Sequence, residues 1–335
     1  MKYLFELSKE HKTLPKAELL ACLQAEKIDY DILQSNEDIL IIETDSKEDI
    51  LRAITGRLSF TFYIDEFLFS CSPSAKEIKK QSSKNILEKE GSIAIKYKNR
   101  SNNINSQPLV KALAEIYTQN RKVALENPNI EIRGLITDST VYVGLKIDEI
   151  NRSKFEERKV QNRPFFSPIS LHPKLACALV NLSSIKKEET LLDPFCGTGG
   201  ILLEAGLIGA KVIGSDIEDK MIDGCKKTLD FYKVKNYKLY CSDIGDIGKH
   251  IDKVDAIVTD LPYGKSTTTK GEKMNRLYQR AFENLSKLLK KGGRAVIGLS
   301  NKDFISLGEK YFSLVEKHDF RAHRSLTRYF VVFQK

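Results

Sequence analysis

The sequence predicts an α/β chain in which a doubly wound, mostly parallel sheet occupies residues 164–335 and an α+β region precedes it over residues 1–150. Three observations carry this reading. Beyond Arg163, strand-like and helix-like runs alternate, and alternation of that kind needs crossover helices between parallel strands. The first of those strands runs into a glycine-rich turn, Asp193 to Gly200, that opens a helix. Three successive strands then end in a carboxylate, Asp216, Asp243 and Asp260, at the sheet edge where open α/β folds bind ligands.

The elements follow in order. Lys2 to Glu6 reads as a strand, Leu14 to Leu23 as an amphipathic helix with Pro15 in its first turn, and Ile39 to Glu43 as a second strand, making a small unit that ends at Leu58. From residue 59 to 150 a second domain is expected. It holds a helix from Ala75 to Lys89, a strand from Ser92 to Arg100, a helix from Pro108 to Gln119, and a hairpin-like pair, Asn129 to Ile136 and Thr140 to Ile147. Side chains alternate along a strand, so Ile93, Ile95 and Tyr97 point one way while Lys96, Lys98 and Arg100 form a basic stripe on the other. Residues 151–163 are charged and poor in apolar residues, the composition of a linker. The strands and helices of the last domain are Thr190 to Asp193, Gly199 to Leu207, Lys211 to Asp216, Glu218 to Tyr232, Tyr237 to Asp243, Val254 to Asp260, Arg276 to Lys290 and Arg294 to Ser300.

Composition narrows the function. The 335 residues exceed what one hydrophobic core supports, and 41% hydrophobic content excludes wholesale disorder. No apolar run approaches the roughly 18 residues of a membrane span, and the first residues lack a signal-peptide pattern, so a cytoplasmic, membrane-free protein is expected. Six scattered cysteines without a C-x-x-C pair read as reduced thiols, and five histidines without ligand spacing give a metal site no support. The net charge of +9 is uneven: residues 1–69 carry −6, residues 70–163 carry +7 and residues 164–335 carry +8. A polyanionic partner on the last two segments fits that distribution.

The turn Asp193-Pro194-Phe195-Cys196-Gly197-Thr198-Gly199-Gly200 fails the dinucleotide fingerprint, because Leu202 stands where the last glycine belongs, which disfavours a dehydrogenase. An acid opening the loop sits badly with a pyrophosphate and well with the ammonium of an amino acid. Asp216, about 20 residues past the glycines, is placed to accept ribose hydroxyls. The fourth strand runs into Asp260-Leu261-Pro262-Tyr263.

These residues together resemble the class I S-adenosylmethionine-dependent methyltransferases, in the amino-methylating branch marked by (Asp/Asn)-Pro-Pro-(Tyr/Phe). The segment Arg163 to Ala176 and the terminal run His323 to Phe333 are similar to those of archaeal tRNA guanosine-10 N2-methyltransferases, which place a ferredoxin-like unit and a THUMP RNA-binding domain ahead of a Rossmann-like catalytic domain. The resemblance implies S-adenosylmethionine as cofactor and tRNA as substrate, a monomer, and no metal. It implies a cofactor site of Asp193, Phe195, Cys196, Gly197, Gly199, Asp216, Ile217, Asp243, Ile244 and His172, although by its own surroundings His172 reads as a helix-start or packing residue more than as a catalyst. Asp260, Leu261, Pro262 and Tyr263 carry over as the catalytic motif, and Lys96, Lys98, Arg100, Lys265 and Arg324 as RNA contacts. Leu261 departs from the family's first proline but keeps the backbone carbonyl that accepts an amine hydrogen. Two alternatives stay open: the same chemistry at another tRNA position or on rRNA, and a non-enzymatic THUMP RNA-binding protein. A DNA amino-methyltransferase is disfavoured because residues 264–275 are too short for a target-recognition insertion.

Overall fold

The computed structural model describes residues 1–46, 48–167, 170–263, 272–323 and 326–335. In chain order the first elements are β1 (Lys2–Leu7), α1 (Leu14–Ala25), β2 (Asp31–Ser35), β3 (Ile39–Glu43), α2 (Glu48–Thr55), β4 (Thr61–Cys71), α3 (Ala75–Ser82), β5 (Ile93–Asn99), α4 (Gln107–Tyr117), β6 (Ile130–Ile136) and β7 (Val141–Glu149). There follow α5 (Ser153–Glu157), α6 (Pro173–Leu182), β8 (Thr190–Asp193), α7 (Gly200–Leu207), β9 (Lys211–Asp216), α8 (Asp219–Phe231), β10 (Tyr237–Cys241) and β11 (Val254–Asp260). The last are α9 (Met274–Leu288), β12 (Leu289–Leu299), α10 (Ile305–Gly308), β13 (Ser313–His323) and β14 (Leu326–Gln334). The chain divides into two units, Met1–Lys9 with Ile28–Thr55 and Thr61–Ile150, and Glu10–Lys27 with Gly56–Phe60 and Asn151–Lys335. Among the described residues no helix is long and apolar enough to cross a membrane.

The first unit is built on one seven-stranded sheet in the order β2-β3-β1-β4-β7-β6-β5, antiparallel except for the β5/β6 edge. This corrects the expected boundary at Leu58: β1 pairs along β4, with Tyr3 opposite Glu66 and Phe5 opposite Ile64, so residues 1–58 and 59–150 share a sheet. A buried ionic cluster lies on that sheet, where Arg133 pairs with Glu6 and, at 3.3 Å, with Asp65. Arg100 joins it, reaching Glu6 at 2.8 Å and Asp38 at 2.7 Å with its side chain only 8% exposed. The basic stripe is therefore shorter than expected. Two carboxylates neutralise Arg100 inside the unit, while Lys96, paired to Glu131 at 2.8 Å, and Lys98 remain exposed on the edge strand. Tyr97, expected on the inner face, is exposed as well, since burial along β5 falls off after Ala94.

The second unit carries the doubly wound sheet, in the order β10-β9-β8-β11-β12-β14-β13, with β14 antiparallel to both neighbours. Strand order reverses between β8 and β11, which places a ligand crevice outside their carboxyl ends. Alternating side chains serve two cores: Ala256, Val258, Phe330 and Val332 face one, and Ile257, Ala295, Val331 and Phe333 face the other. Helices α6 and α7 bury residues in the first core and α9 in the second. Helix α1, expected in the N-terminal unit, instead packs with α6 in this one. Its Glu18 is fully buried and accepts from Ser59 N (2.9 Å), Ser59 Oγ (2.6 Å), Phe60 N (2.8 Å) and Asn181 Nδ2 (2.9 Å). The expected linker at 151–163 is also part of this unit. Phe155 is buried, and Arg158 holds Glu204 through two hydrogen bonds of 2.9 and 2.8 Å.

Candidate active site

Four acids meet at the carboxyl edge of the second sheet because β8, β9, β10 and β11 run parallel: Asp193, Asp216 and Asp260 end their strands, whereas Asp243, expected to end the third, lies two residues past the end of β10. Asp193 closes β8 and is buried. Its Oδ1 accepts from Thr259 Oγ1 at 2.7 Å and from the Phe195 N–H at 3.2 Å. Burial is the chief influence on this carboxyl and pushes it up to about 7; Asp260 and Asp216 add to the rise, and the two hydrogen bonds oppose it.

The following turn needs its glycines. Gly197 (φ +49°) and Gly199 (φ +80°) take left-handed backbone, and a Cβ on Gly199 would lie 2.6 Å from the Cys225 sulfur. A Cβ on Gly197 would meet nothing within 4 Å, so the turn there borders open space. Cys196 is buried, its N–H donating to Ser215 O at 2.9 Å, which ties the turn to β9. Asp216 ends β9, where the Gly197 N–H holds Oδ2 and the Glu218 N–H holds Oδ1, each at 3.0 Å. A carboxylate has about four acceptor sites, so both oxygens keep capacity for a ligand.

Asp243 is occupied in a way the sequence did not announce. Arg280 of α9 grips it with both Nη atoms, Nη2 to Oδ2 at 3.2 Å, and the Gly245 N–H adds a bond of 2.8 Å. The guanidinium holds this carboxyl below the ordinary aspartate range. The same Arg280 reaches Glu272 at 2.7 and 3.1 Å.

Asp260 ends β11, with its carboxylate held by two groups that also touch each other. Tyr263 donates its hydroxyl to Oδ1, Arg328 of β14 lies 3.2 Å from Oδ2, and the Arg328 guanidinium sits over the Tyr263 ring at 5.0 Å. Burial raises the Asp260 carboxyl above its ordinary value, and Arg328 and Tyr263 work against that rise. Gly298 on β12 makes the room: a Cβ there would lie 2.2 Å from Asp260 Oδ1. Leu261 is fully buried and donates its N–H to Gly298 O at 3.1 Å, a bond that proline in its place would forfeit. Tyr278 of α9 donates to Pro262 O at 3.0 Å and fixes the turn.

The structure thus gathers Asp193, Phe195, Cys196, Gly197, Gly199, Asp216, Asp243 and Asp260 to Tyr263 along one edge. Ile217 follows Asp216 and is partly exposed, while Ile244 is buried in the second core, which leaves it to packing. His172 takes the helix-start place that its own residues suggest: it is the N-cap of α6, its Nδ1 accepting from Lys174 N at 3.2 Å, with Glu156 beside Nε2 at 3.9 Å. Lys265 and the Arg324 side chain lie outside the described residues. Sequence reasoning missed Thr259, Tyr278, Arg280 and Gly298, and gave Arg328 no place beside Asp260. None of these carried a signal that residue spacing makes readable.

Comparison with known proteins agrees with this arrangement. The family model described as RMKL-like, methyltransferase domain matches residues 161–329, the segment that holds every acid above. A DNA methylase model matches residues 32–227, a span that includes the glycine turn but stops short of Asp260. The fold is shared with TrmN from Thermus thermophilus, at a TM-score of 0.57 and 18% identity with all of both chains covered. A tRNA (guanine(10)-N2)-dimethyltransferase from Methanothermobacter thermautotrophicus is 34% identical over 100% of each chain. One of the same description from Pyrococcus abyssi is 38% identical over 65% of this chain and 66% of its own. Identity that runs the full length of both chains, together with a methyltransferase model lying over the strand-end acids, shows that this chain belongs to the family of tRNA (guanine(10)-N2)-dimethyltransferases.

Proposed function

We propose that the chain methylates the N2 exocyclic amine of a guanosine in tRNA, at position 10, using S-adenosylmethionine, and that it adds a second methyl to the same nitrogen. The observation that carries this reading is the Asp260 carboxylate, held at the switch-point edge beside a glycine turn opened by Asp193. The residues fit the cofactor: Gly197 leaves its side of the turn open, and Asp216 is pinned by two N–H groups with acceptor capacity to spare. Asp193 suits the ammonium, Asp216 the ribose hydroxyls, and Phe195, Cys196, Gly199 and Ile217 the walls. Asp243 suits the adenine edge if Arg280 yields part of its grip.

When bound, S-adenosylmethionine supplies an electrophilic methyl on a sulfonium sulfur. A guanine amine is a weak nucleophile because its lone pair is delocalised into the ring. Asp260 accepts one N–H and the Leu261 carbonyl the other, which turns the lone pair outward and offsets the positive charge that grows on nitrogen. Tyr263 holds the base once it has left its stack, and must release Asp260 Oδ1 to do so. The nitrogen that gains the methyl gives up one proton along its N–H···Asp260 bond, to the carboxylate or through it to water; the neutral mono-methylated amine still has one hydrogen for Asp260, so the same geometry serves a second transfer.

Two expectations follow for solution work. Asp193 is raised toward 7, so it is largely neutral below that value, and an ammonium ligand favours the ionised form. Cofactor affinity therefore rises with pH up to about 7, by at most tenfold per unit, and binding below it releases protons. Calorimetry in buffers of different ionisation heat reads both effects. A flat affinity between about pH 5.5 and 7.5 removes Asp193 from ammonium recognition. On the first unit, Lys96→Gln with Lys98→Gln should weaken tRNA binding and flatten its salt dependence by roughly 0.7 to 0.9 in slope per lost contact. Arg100 belongs to the buried ion cluster, and its loss should register as lost stability instead.

The test of the function is transfer of labelled methyl from S-adenosylmethionine to unmodified tRNA, followed by digestion to nucleosides. Label in N2-methylguanosine and N2,N2-dimethylguanosine supports the reading. Label in N6-methyladenosine, or in rRNA or DNA only, overturns it.

A further inference from the structure

We infer that Arg328 is a positioning residue for the methylation reaction, one that keeps Asp260 an ionised acceptor and leaves Oδ1 as the oxygen offered to the amine; this rests on the function proposed above. Three features of its place on β14 carry the assignment. Its Nη1 lies 3.2 Å from Asp260 Oδ2, and both side chains are largely enclosed, 13% and 19% exposed. Its guanidinium lies over the ring of Tyr263, the residue whose hydroxyl takes the other oxygen. Among the described residues its Nε is buried without a hydrogen-bond partner, so the group is fixed by these contacts and not by a network of its own.

The register of the sheet explains how so distant a residue arrives there. Asp260 lies opposite Gly298, and Gly298 opposite Phe330, in a row across β11, β12 and β14. Because β14 runs antiparallel, Arg328 stands two residues toward the carboxyl edge of β11, on the same face as Phe330. Gly298 between them has no side chain to interpose.

The chemistry is served by such a residue. A neutral carboxylic acid keeps a carbonyl oxygen that can accept an N–H, but its other oxygen donates and the negative charge that offsets positive charge on the nitrogen is gone. Besides Arg328, the titratable groups that face Asp260 among the described residues are Asp193 of β8, Tyr263 of its own turn and Tyr278 of α9. Asp193 and the enclosure disfavour charge on Asp260, and among the described residues Arg328 alone supplies the opposite charge. Tyr263 leaves Oδ1 when it stacks on the base, whereas Arg328 approaches through Oδ2 and has no need to leave.

The test compares Arg328→Gln and Arg328→Lys with the unaltered protein, with Arg328→Met as a second neutral variant should the glutamine variant not fold. The Asp260 carboxyl is titrated by infrared difference spectroscopy against Asp260→Asn, and kcat for tRNA methylation is measured across pH. Removing the charge should raise the Asp260 midpoint and the acid limb of kcat together, by about 1 to 3 pH units. Cofactor affinity should stay unchanged, and Arg328→Lys should restore much of both. An unmoved midpoint in the neutral variants overturns the inference. So does lost kcat with an unmoved acid limb and no rescue by lysine, which is the mark of a merely structural arginine. If the unaltered protein transfers no methyl to tRNA, the proposed function fails, and the infrared midpoint still decides the role of Arg328.

Discussion

Asp260→Ala should lower kcat for tRNA methylation by on the order of 10²- to 10³-fold, the usual cost of removing one group aimed at charge that develops in a transition state. Cofactor affinity should change little, because the backbone bonds that hold Asp216, the group proposed to bind the ribose, do not pass through Asp260. The alanine variant also strands Arg328, whose charge then lacks its partner at 3.2 Å. Asp260→Asn separates the two effects. It keeps an oxygen for the N–H and relieves less of the packing, yet loses the charge, so it should fold normally and retain only a small part of the turnover. Single-turnover rates with saturating cofactor distinguish these outcomes. Turnover near the unaltered level in both variants would remove Asp260 from the chemistry.

The largest effect on stability is expected at Glu18. Its carboxylate is fully buried, and four donors converge on it, from Ser59 twice, Phe60 and Asn181. Glu18→Ala leaves those donors in a dry interior, and each unsatisfied group costs about 1 to 3 kcal/mol, so a net loss on the order of 3 to 5 kcal/mol follows once partial relaxation is allowed for. In thermal melting this is a drop of roughly 10 °C. Glu18→Gln should fall between the two, because the amide keeps one acceptor and turns its NH₂ toward donors. A melting temperature within about 2 °C of the unaltered protein would mean that water or a rearranged loop replaces the carboxylate.

Glu18 also shows where the sequence stopped being legible. Its helix was recognised from Pro15 and the apolar spacing, but the assignment of that helix to an N-terminal unit was wrong, because periodicity tells which face is buried and not against what. The acid-lined edge of the second sheet was far more readable. A carboxylate at a strand end and a glycine in left-handed backbone are local requirements, and Asp193, Gly197, Gly199, Asp216 and Asp260 announce themselves within a few residues. The long strand β4 was missed altogether, since Asp65 and Glu66 interrupt its apolar pattern; Asp65 is in fact buried against Arg133. Arg100 misled for the same reason in reverse. Its alternation with Lys96 and Lys98 reads as a solvated face, and only the approach of Glu6 and Asp38 turns it inward. Arg280 and Arg328 reach their acids, Asp243 and Asp260, across 37 and 68 positions of chain, on contacts set by sheet order. Residue spacing carries no trace of such contacts.

The most direct measurement is the mapping of methyl groups on a single tRNA after incubation with the protein and S-adenosylmethionine, by mass spectrometry of nuclease fragments. The account predicts N2-methylguanosine appearing first and N2,N2-dimethylguanosine after it, both in the fragment that contains guanosine 10 and both absent with Asp260→Ala. Methylation of an adenosine, of a ring nitrogen or of another fragment, or full modification by the Asp260→Ala variant, would contradict it.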